Sequence, residues 1–269
     1  MPDAIASVAR QRHDVDLEHL VFDGGSTDGS REWLRDHLDL GYRVTFEPDL
    51  GQSDALSRGF REASGDLFGW LNADDLFEPG ALLEVAEAFR AAPDTVMISG
   101  ACLFIDAKSR IIAAMRTPPD PSLKAMLRAR SQPPQPSTFF RASAYRAVGG
   151  LDTTLDFAMD LDLWLRLAGH GQCDVLPDRV LARYRVHPGA KSERSRTASD
   201  RQDLAVRRRA GMQWRSPAAL TLVREGYVTP VVRPIQVRLT NLLRRVLLGS
   251  RPGHRPGQVI PKDRASRDG

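Results

Sequence analysis

Segments with strand and helix character alternate over the first third of the chain. In chain order, strand-like and helix-like stretches follow one another at 18–23, 31–38, 43–47, 53–63, 67–71 and 81–91. In the helix-like stretch at 53–63 the apolar residues recur with a spacing close to that of an α-helix. This order predicts βαβ units, and hence an α/β fold with a mostly parallel sheet covered by helices on both faces. A further strand at 96–105 is expected to form a hairpin with 111–115.

Two adjacent carboxylates, Asp74 and Asp75, follow the strand-like run that ends at Leu71. Adjacent carboxylates repel, so burying both is costly unless a cation lies beside them. Hard oxygen ligands at the end of a strand suit Mg²⁺ or Mn²⁺, and such ions are usually shared with a phosphate. The alternative is that the two residues cap the helix that begins near Pro79.

Charge is distributed unevenly along the 269 residues. From Ala190 onward there are 18 Lys and Arg against 6 Asp and Glu, whereas the preceding part carries a net charge of −8. An acidic body suits an enzyme that uses a cation, and a basic tail suits an anionic surface. We therefore expect one domain at 1–189, followed by a basic extension at 190–269 that is helical and partly disordered.

Other features of the composition bear on location and partners. The two cysteines do not form a disulfide framework, and no apolar run is long enough to cross a bilayer, so we expect a cytoplasmic protein. Residues 235–248 have the pattern of a basic amphipathic helix, which either contacts a membrane surface peripherally or packs on the body. Nucleic acid is not expected as a partner, because aromatic residues do not interleave with the arginines of the tail.

Four short motifs occur in an order that resembles the family 2 glycosyltransferases. They are Asp23–Ser30 (DGGSTDGS), Gly51–Leu56 (GQSDAL), Trp70–Asp75 (WLNADD) and Met159–Arg166 (MDLDLWLR). The resemblance implies a GT-A fold, with a nucleotide half at about 1–106 and an acceptor half at about 107–189. It also implies inverting transfer of a sugar from a nucleotide-diphosphate sugar to a glycan or lipid-linked acceptor, with Mg²⁺ or Mn²⁺ as cofactor.

The first motif is expected to bind the nucleotide. By resemblance, Asp23 accepts a hydrogen bond from the base, and Gly24, Gly25 and Ser26 complete the contact. Aspartate at a strand end fits a ligand site of an α/β sheet, and the glycines allow a close backbone approach. The alternative for Asp23 is an Asx-turn or a helix cap.

The resemblance assigns the donor and the cation to residues in three further segments. Asp54 either contacts the nucleotide or caps its helix. Asn72 stands where the family has the first acid of its Asp-x-Asp motif, and its amide oxygen can still contact ribose or metal. Asp74 is expected to be the direct metal ligand, helped by Asp75. His187 is expected near the metal and the diphosphate, and the alternative is a histidine on the surface.

The last motif is expected to supply the general base. By alignment Asp160 deprotonates the acceptor hydroxyl, although the family's preceding Glu is replaced here by Met159. Residues i and i+2 of a helix face different ways, so Asp162 is expected to play a supporting role. The alternative is a pair of acids favoured by the helix dipole. Gln135, Ser137 and Arg141 are candidates for the acceptor side, and Trp164 is expected in the core.

The chain also departs from the family at its start. The first residues resemble the helix that follows the family's first, central strand, and that strand is not seen. A sheet without it leaves backbone groups unpaired. One rival hypothesis is therefore a catalytically impaired nucleotide-sugar-binding module. The other two are a sugar nucleotidyltransferase and a protein that binds an anionic surface through its tail.

Overall fold

The computed structural model describes residues 1–128, 132–187 and 195–224. The elements of the first part are α1 (Pro2–Ala9), β1 (Leu20–Asp23), α2 (Ser30–Asp36), a 3-10 turn (Leu38–Leu40), β2 (Arg43–Phe46), α3 (Gln52–Glu62), β3 (Leu67–Phe68), β4 (Leu76–Phe77), α4 (Ala81–Ala91), β5 (Thr95–Ile105) and β6 (Ile111–Met115). They are followed by α5 (Leu123–Arg128), a 3-10 turn (Gln135–Ser137), β7 (Thr138–Arg141), α6 (Ala142–Ala147), α7 (Met159–His170), β8 (Gln172–Arg185), α8 (Arg196–Arg209) and α9 (Pro217–Val223).

The strands form two sheets. Strands β1 and β2 pair in parallel, with Leu20 opposite Arg43. The second sheet has the order β3-β7-β5-β8-β4, and β6 pairs with β5. Among the described residues, no strand pairing joins the two sheets. The helices and strands thus make an α/β fold, in which the β1–β2 pair is a separate ribbon.

The strand directions differ from the mostly parallel sheet expected from the alternating pattern. In the second sheet β5 and β8 are parallel, whereas the pairs β3–β7, β5–β7, β4–β8 and β5–β6 are antiparallel. The physical reason is that β3 and β4 pair with strands distant in sequence instead of extending the β1–β2 pair. The expected hairpin is confirmed, since β6 returns along β5 across a short turn, which requires antiparallel pairing.

The largest hydrophobic core lies around α7. Five of its apolar side chains are almost fully buried, namely Leu161, Leu163, Trp164, Leu165 and Leu167. Trp164 stacks on Trp70 with ring centroids 5.3 Å apart, which confirms its expected place in the core. Each such buried side chain contributes about 1.5–3 kcal/mol relative to an exposed one, so the position of α7 is fixed by packing. Its first turn, which carries Asp160, is therefore held against the rest of the domain.

Residues beyond 189 take part in this packing as far as the structure describes them. Helix α8 contacts α7, and α9 contacts α5 and α8. The amphipathic segment predicted at 235–248 lies outside the described residues, and the boundary at 189 stays a prediction. Within residues 1–128, 132–187 and 195–224, no helix combines the length and apolar character that crossing a bilayer requires.

Candidate active site

The loop Asn72–Asp75 joins two very short strands. β3 precedes it and pairs with β7, while β4 follows it and pairs with β8. The amide of Asp75 donates to the carbonyl of Asn72 over 3.1 Å, which closes the loop into a tight turn. Because β3 and β4 are the two outer strands of the path β3-β7-β5-β8-β4, the connection that contains this loop runs from one side of the larger sheet to the other.

Asn72 is held by three side-chain hydrogen bonds. Its Oδ1 accepts from Gln52 Nε2 at 2.7 Å, while its Nδ2 donates to Asp75 Oδ2 at 3.0 Å and to Gln135 Oε1 at 3.2 Å. An aspartate at this position would lose both donations and place a second charge against Asp75. The asparagine is therefore matched to its surroundings. Gln135, expected on the acceptor side, binds Asn72 and also donates to the carbonyl of Trp70.

Asp75 is fully buried, and both of its oxygens accept hydrogen bonds from the protein. Oδ1 accepts from the backbone N–H of Arg185 at 2.8 Å, and Oδ2 accepts from Asn72. Burial, reinforced by the charge of Asp74, raises its pKa to about 7. The carboxylate therefore ties the loop to the end of β8. This geometry does not direct it outward as the expected helper ligand for a metal.

Asp74 and His187 form the outward-facing pair of the loop. Asp74 Oδ2 lies 3.0 Å from His187 Nε2, and the side chains are 40% and 33% exposed. In the described part of the chain, no group of three or more His, Cys, Asp or Glu is arranged to hold a metal ion. The pair still fits a shared site, because Mg²⁺ and Mn²⁺ commonly take one or two protein ligands and complete their shell with phosphate and water.

Arg185 was not singled out by the sequence. Its side chain donates to the carbonyl of Asp74 at 2.9 Å, to the carbonyl of Asp106 at 3.0 Å and to Ser109 Oγ at 3.0 Å. It thereby connects the Asn72–Asp75 loop, called the acidic loop below, to the turn between β5 and β6. The available signal was its place at the end of a strand two residues before His187, which is too general to mark it.

Asp160 lies in the first turn of α7 and is half-buried. Its Oδ1 accepts from the N–H of Leu161 at 2.7 Å, and Gln132 Nε2 lies 3.5 Å from its Oδ2. Desolvation raises its pKa to about 6, the charge of Asp203 acts in the same direction, and the charge of Arg207 opposes it. Asp160 is thus a carboxylate that exchanges a proton near neutral pH.

Asp162 has a different role from Asp160, as the helix geometry predicts. It is buried and forms ion pairs with Arg166, at 2.6 Å, and with Arg209. Arg166 lies on α7 itself, whereas Arg209 is the last residue of α8, so the carboxylate of Asp162 joins the two helices. Only Asp160 of the two is left to act on a bound molecule.

The N-terminus of α3 joins the acidic loop to the first turn of α7. Gln52 binds Asn72, and the next residue, Ser53, donates to the carbonyl of Leu155 and lies 2.6 Å from Met159 Sδ. Asn72 and the residue preceding Asp160 are therefore bridged by two adjacent residues. The structure brings the Asn72–Asp75 loop and Asp160 to the same region.

Asp23 ends β1 and is buried in a turn. Its Oδ1 accepts from the N–H groups of Gly25 and Ser26 at 3.1 and 3.0 Å, and Arg31 Nε lies 3.2 Å away. Burial alone would raise its pKa, but the hydrogen bonds from Ser26 and Gly25 and the charge of Arg31 bring it below its usual range. A Cβ at Gly24 would collide with the Asp49 carboxylate. The nucleotide role of these residues stays a prediction, and the Asx-turn is the local structure that they form.

Asp54 makes its contacts within its own helix and the preceding loop. Its Oδ2 accepts from the N–H of Leu50 at 3.1 Å and pairs with Arg58 at 2.6 Å. The N-cap residue of α3 is Gly51, and no side chain caps the helix, so Asp54 does not cap it. A nucleotide contact of Asp54 stays a prediction.

The chain is similar in sequence to known proteins. Residues 1–147 match the family described as glycosyl transferase family 2. An uncharacterized glycosyltransferase from Mycobacterium tuberculosis is 30% identical over 168 residues, which are 61% of this chain and 62% of the relative. The chain thus spans about three fifths of the length of that relative.

Two solved structures are similar in fold. TarS from S. aureus in complex with UDP-GlcNAc has a TM-score of 0.57 at 14% identity, covering 84% of this chain and 66% of that one. The mannosyltransferase PcManGT from Pyrobaculum calidifontis, in complex with GDP-Man and Mn²⁺, has a TM-score of 0.56 at 21% identity, covering 92% and 72%. The predicted GT-A type of α/β fold is confirmed by this likeness.

Proposed function

This chain belongs to glycosyl transferase family 2, and from that membership we propose that it transfers a sugar, with inversion, from a nucleotide-diphosphate sugar to an acceptor hydroxyl. The observation that supports the proposal is the set of contacts made by the first two residues of α3. Through Gln52 and Ser53 this helix links the loop bearing Asp74 to the turn bearing Asp160. A donor site and a proton acceptor in one region are what such a transfer needs.

Asp160 acts as the general base in this proposal. A carboxylate with a pKa of about 6 is ionised at neutral pH, yet it is basic enough to accept a proton as the acceptor hydroxyl attacks. Its Oδ1 is fixed by the N–H of Leu161, which orients the carboxylate. The proton moves from the hydroxyl to Asp160 while the hydroxyl oxygen bonds to the anomeric carbon, on the face opposite the diphosphate. The bond between that carbon and the diphosphate oxygen breaks, and the nucleotide diphosphate leaves.

Asp74 and His187 would hold the divalent cation, Mg²⁺ or Mn²⁺. Such an ion supplies positive charge that stabilises the leaving diphosphate. The support is that the two side chains are adjacent and partly exposed. Asn72, Asp75 and Arg185 keep this part of the loop in place, and in the proposal Asp23 to Ser26 contact the nucleotide.

The complexes of the similar structures support the donor class of the proposal. These contain UDP-GlcNAc in one case and GDP-Man with Mn²⁺ in the other, so a nucleotide-diphosphate sugar is the donor proposed here. The acceptor proposed from the sequence is a glycan or a lipid-linked glycan, in the synthesis of cell-surface polysaccharide or glycolipid. Peripheral membrane contact through the C-terminal tail belongs to the same proposal.

A donor screen tests the proposal. The full chain is incubated with UDP- and GDP-sugars and Mn²⁺ or Mg²⁺, and released nucleotide diphosphate is measured with and without glycan acceptors. Release that depends on donor, cation and acceptor is the expected result. Binding of donors without any release would favour the impaired binding module. Formation of a nucleotide sugar from a nucleoside triphosphate and a sugar phosphate would favour the nucleotidyltransferase.

A further inference from the structure

We propose that α8, which lies beyond the region matched by the family, positions the carboxylate of Asp160 through Gln202, Asp203 and Arg207. The inference rests on the proposed function, because it takes Asp160 as the base. These three residues are positioning residues, since each acts through contacts with the protein around Asp160.

Gln202 binds the backbone just before the first residue of α7. Its Oε1 accepts from the N–H of Phe157 at 2.9 Å and is 3.4 Å from the N–H of Ala158. The first N–H groups of a helix and those just before it lack partners within the helix itself. By accepting from them, Gln202 fixes the backbone immediately before Met159 and Asp160.

Arg207 connects α8 to the side chain of Asp160. It has no exposed surface, and it donates to Asp203, to the carbonyl of Met126 and to Gln132 Oε1, the last at 3.2 Å. Gln132 in turn places its Nε2 3.5 Å from Asp160 Oδ2. The amide of Gln132 therefore has its oxygen next to the buried Arg207 and its nitrogen next to Asp160. This arrangement sets the orientation of Gln132, since an arginine only donates.

The charges on α8 act on Asp160 in opposite directions. Asp203 favours the protonated form of Asp160, and Arg207 favours the ionised form. Nearby on α7 itself, Asp162 is paired with Arg166 and Arg209. Arg209 also pairs with Asp152, and Gln132 approaches Asp160 as a neutral group. The ion pair Asp203–Arg207 is therefore placed to adjust where Asp160 titrates.

Two substitutions separate this role from a merely structural one. Arg207→Gln removes the positive charge, so the pKa of Asp160 should rise by about one unit. Asp203→Asn removes the negative charge with little change in shape, so the pKa should fall by a similar amount. A general loss of packing would move the value in one direction in both variants. Arg208→Gln is the matched control, because this neighbouring arginine lies over the ring of Trp214 instead.

The measurement is carbon NMR of the full chain labelled at the aspartate carboxyl carbons, with the Asp160 signal assigned by its loss in Asp160→Asn. Opposite shifts in the two variants and no shift in Arg208→Gln are expected. Unchanged titration of Asp160 in Asp203→Asn, which keeps its shape, would overturn the inference even if Arg207→Gln failed to fold.

Transfer assays keep this result separate from the proposed function. If Asp160 is the base, the acid limb of the rate profile moves up in pH for Arg207→Gln and down for Asp203→Asn, because the ionised carboxylate is the active form. Shifts in the NMR titration together with full transfer by Asp160→Asn would refute the base and leave the coupling to α8 intact. The reverse pattern, an inactive Asp160→Asn with no shift in either variant, would refute the coupling alone.

Discussion

The loop at Asn72–Asp75 and the first turn of α7 each hold a carboxylate whose pKa is raised by burial, and the two differ in what already binds them. Asp75 has a pKa of about 7, is fully buried, and accepts hydrogen bonds on both oxygens from Arg185 and Asn72. Asp160 has a pKa of about 6, is half-buried, and has one short hydrogen bond, from Leu161, and one long contact, with Gln132. Burial alone therefore does not identify a base. The two carboxylates differ in how many of their oxygens already accept a short hydrogen bond. Both oxygens of Asp75 do, and this carboxylate holds its loop in place, whereas in our proposal Asp160 has an oxygen left to accept a substrate proton.

The largest expected effect is on transfer by Asp160→Asn. Removing a general base should lower the rate by about 10²–10⁴-fold, while donor binding stays the same because the acidic loop is untouched. The release of nucleotide diphosphate and calorimetric titration with the donor measure the two quantities. A variant that retains its full rate would place the base elsewhere.

Next in size is the effect of Asp74→Asn on cation-dependent binding. The affinity for UDP or GDP in the presence of Mn²⁺ should fall about tenfold or more, and the gain produced by Mn²⁺ should disappear. Calorimetry with and without Mn²⁺ measures this. Asp14→Asn, at an exposed acid near α1, is the control and should leave the gain intact. An undiminished Mn²⁺ effect in Asp74→Asn would exclude the pair formed with His187 as the cation site.

Asp75→Asn tests whether the carboxylate of Asp75 has a structural role. The new amide would point a donor at a donor, either at Asn72 Nδ2 or at the N–H of Arg185, so a loss of about 1–3 kcal/mol in the free energy of unfolding is expected. Urea unfolding followed by fluorescence measures it. Asp160→Asn should lose less stability, because only one oxygen of Asp160 accepts a short hydrogen bond, and the other has only the long contact with Gln132. Equal losses in the two variants would remove the distinction between them.

The smallest effects are expected at Asp54. Its ion pair with Arg58 lies near the surface, so Asp54→Asn should cost less than about 1 kcal/mol of stability and change donor affinity less than about twofold. The same unfolding and calorimetric experiments apply. A tenfold loss of affinity would instead support the nucleotide contact suggested by the resemblance.

The sequence alone determined the features that local patterns encode. Periodic apolar residues identified the helix at 53–63, helix-like and strand-like runs identified the helix at 81–91 and the hairpin of β5 with β6, and the order of short motifs identified the family. The different roles of Asp160 and Asp162 were predicted from helix geometry, because residues two positions apart on a helix face different ways. Each of these depends on residues close together in the chain, where the physical rule acts within a few residues.

Only the tertiary structure decided which distant residues meet. β3 and β4 pair with β7 and β8, which made the larger sheet mostly antiparallel. Arg185 reaches Asp74 and Asp106, and Arg207 reaches Gln132 beside Asp160. No periodicity marks these residues, because their roles come from side-chain hydrogen bonds across 75 or more positions of sequence. Such contacts depend on how the packed elements orient their side chains, and this orientation is set by the core as a whole.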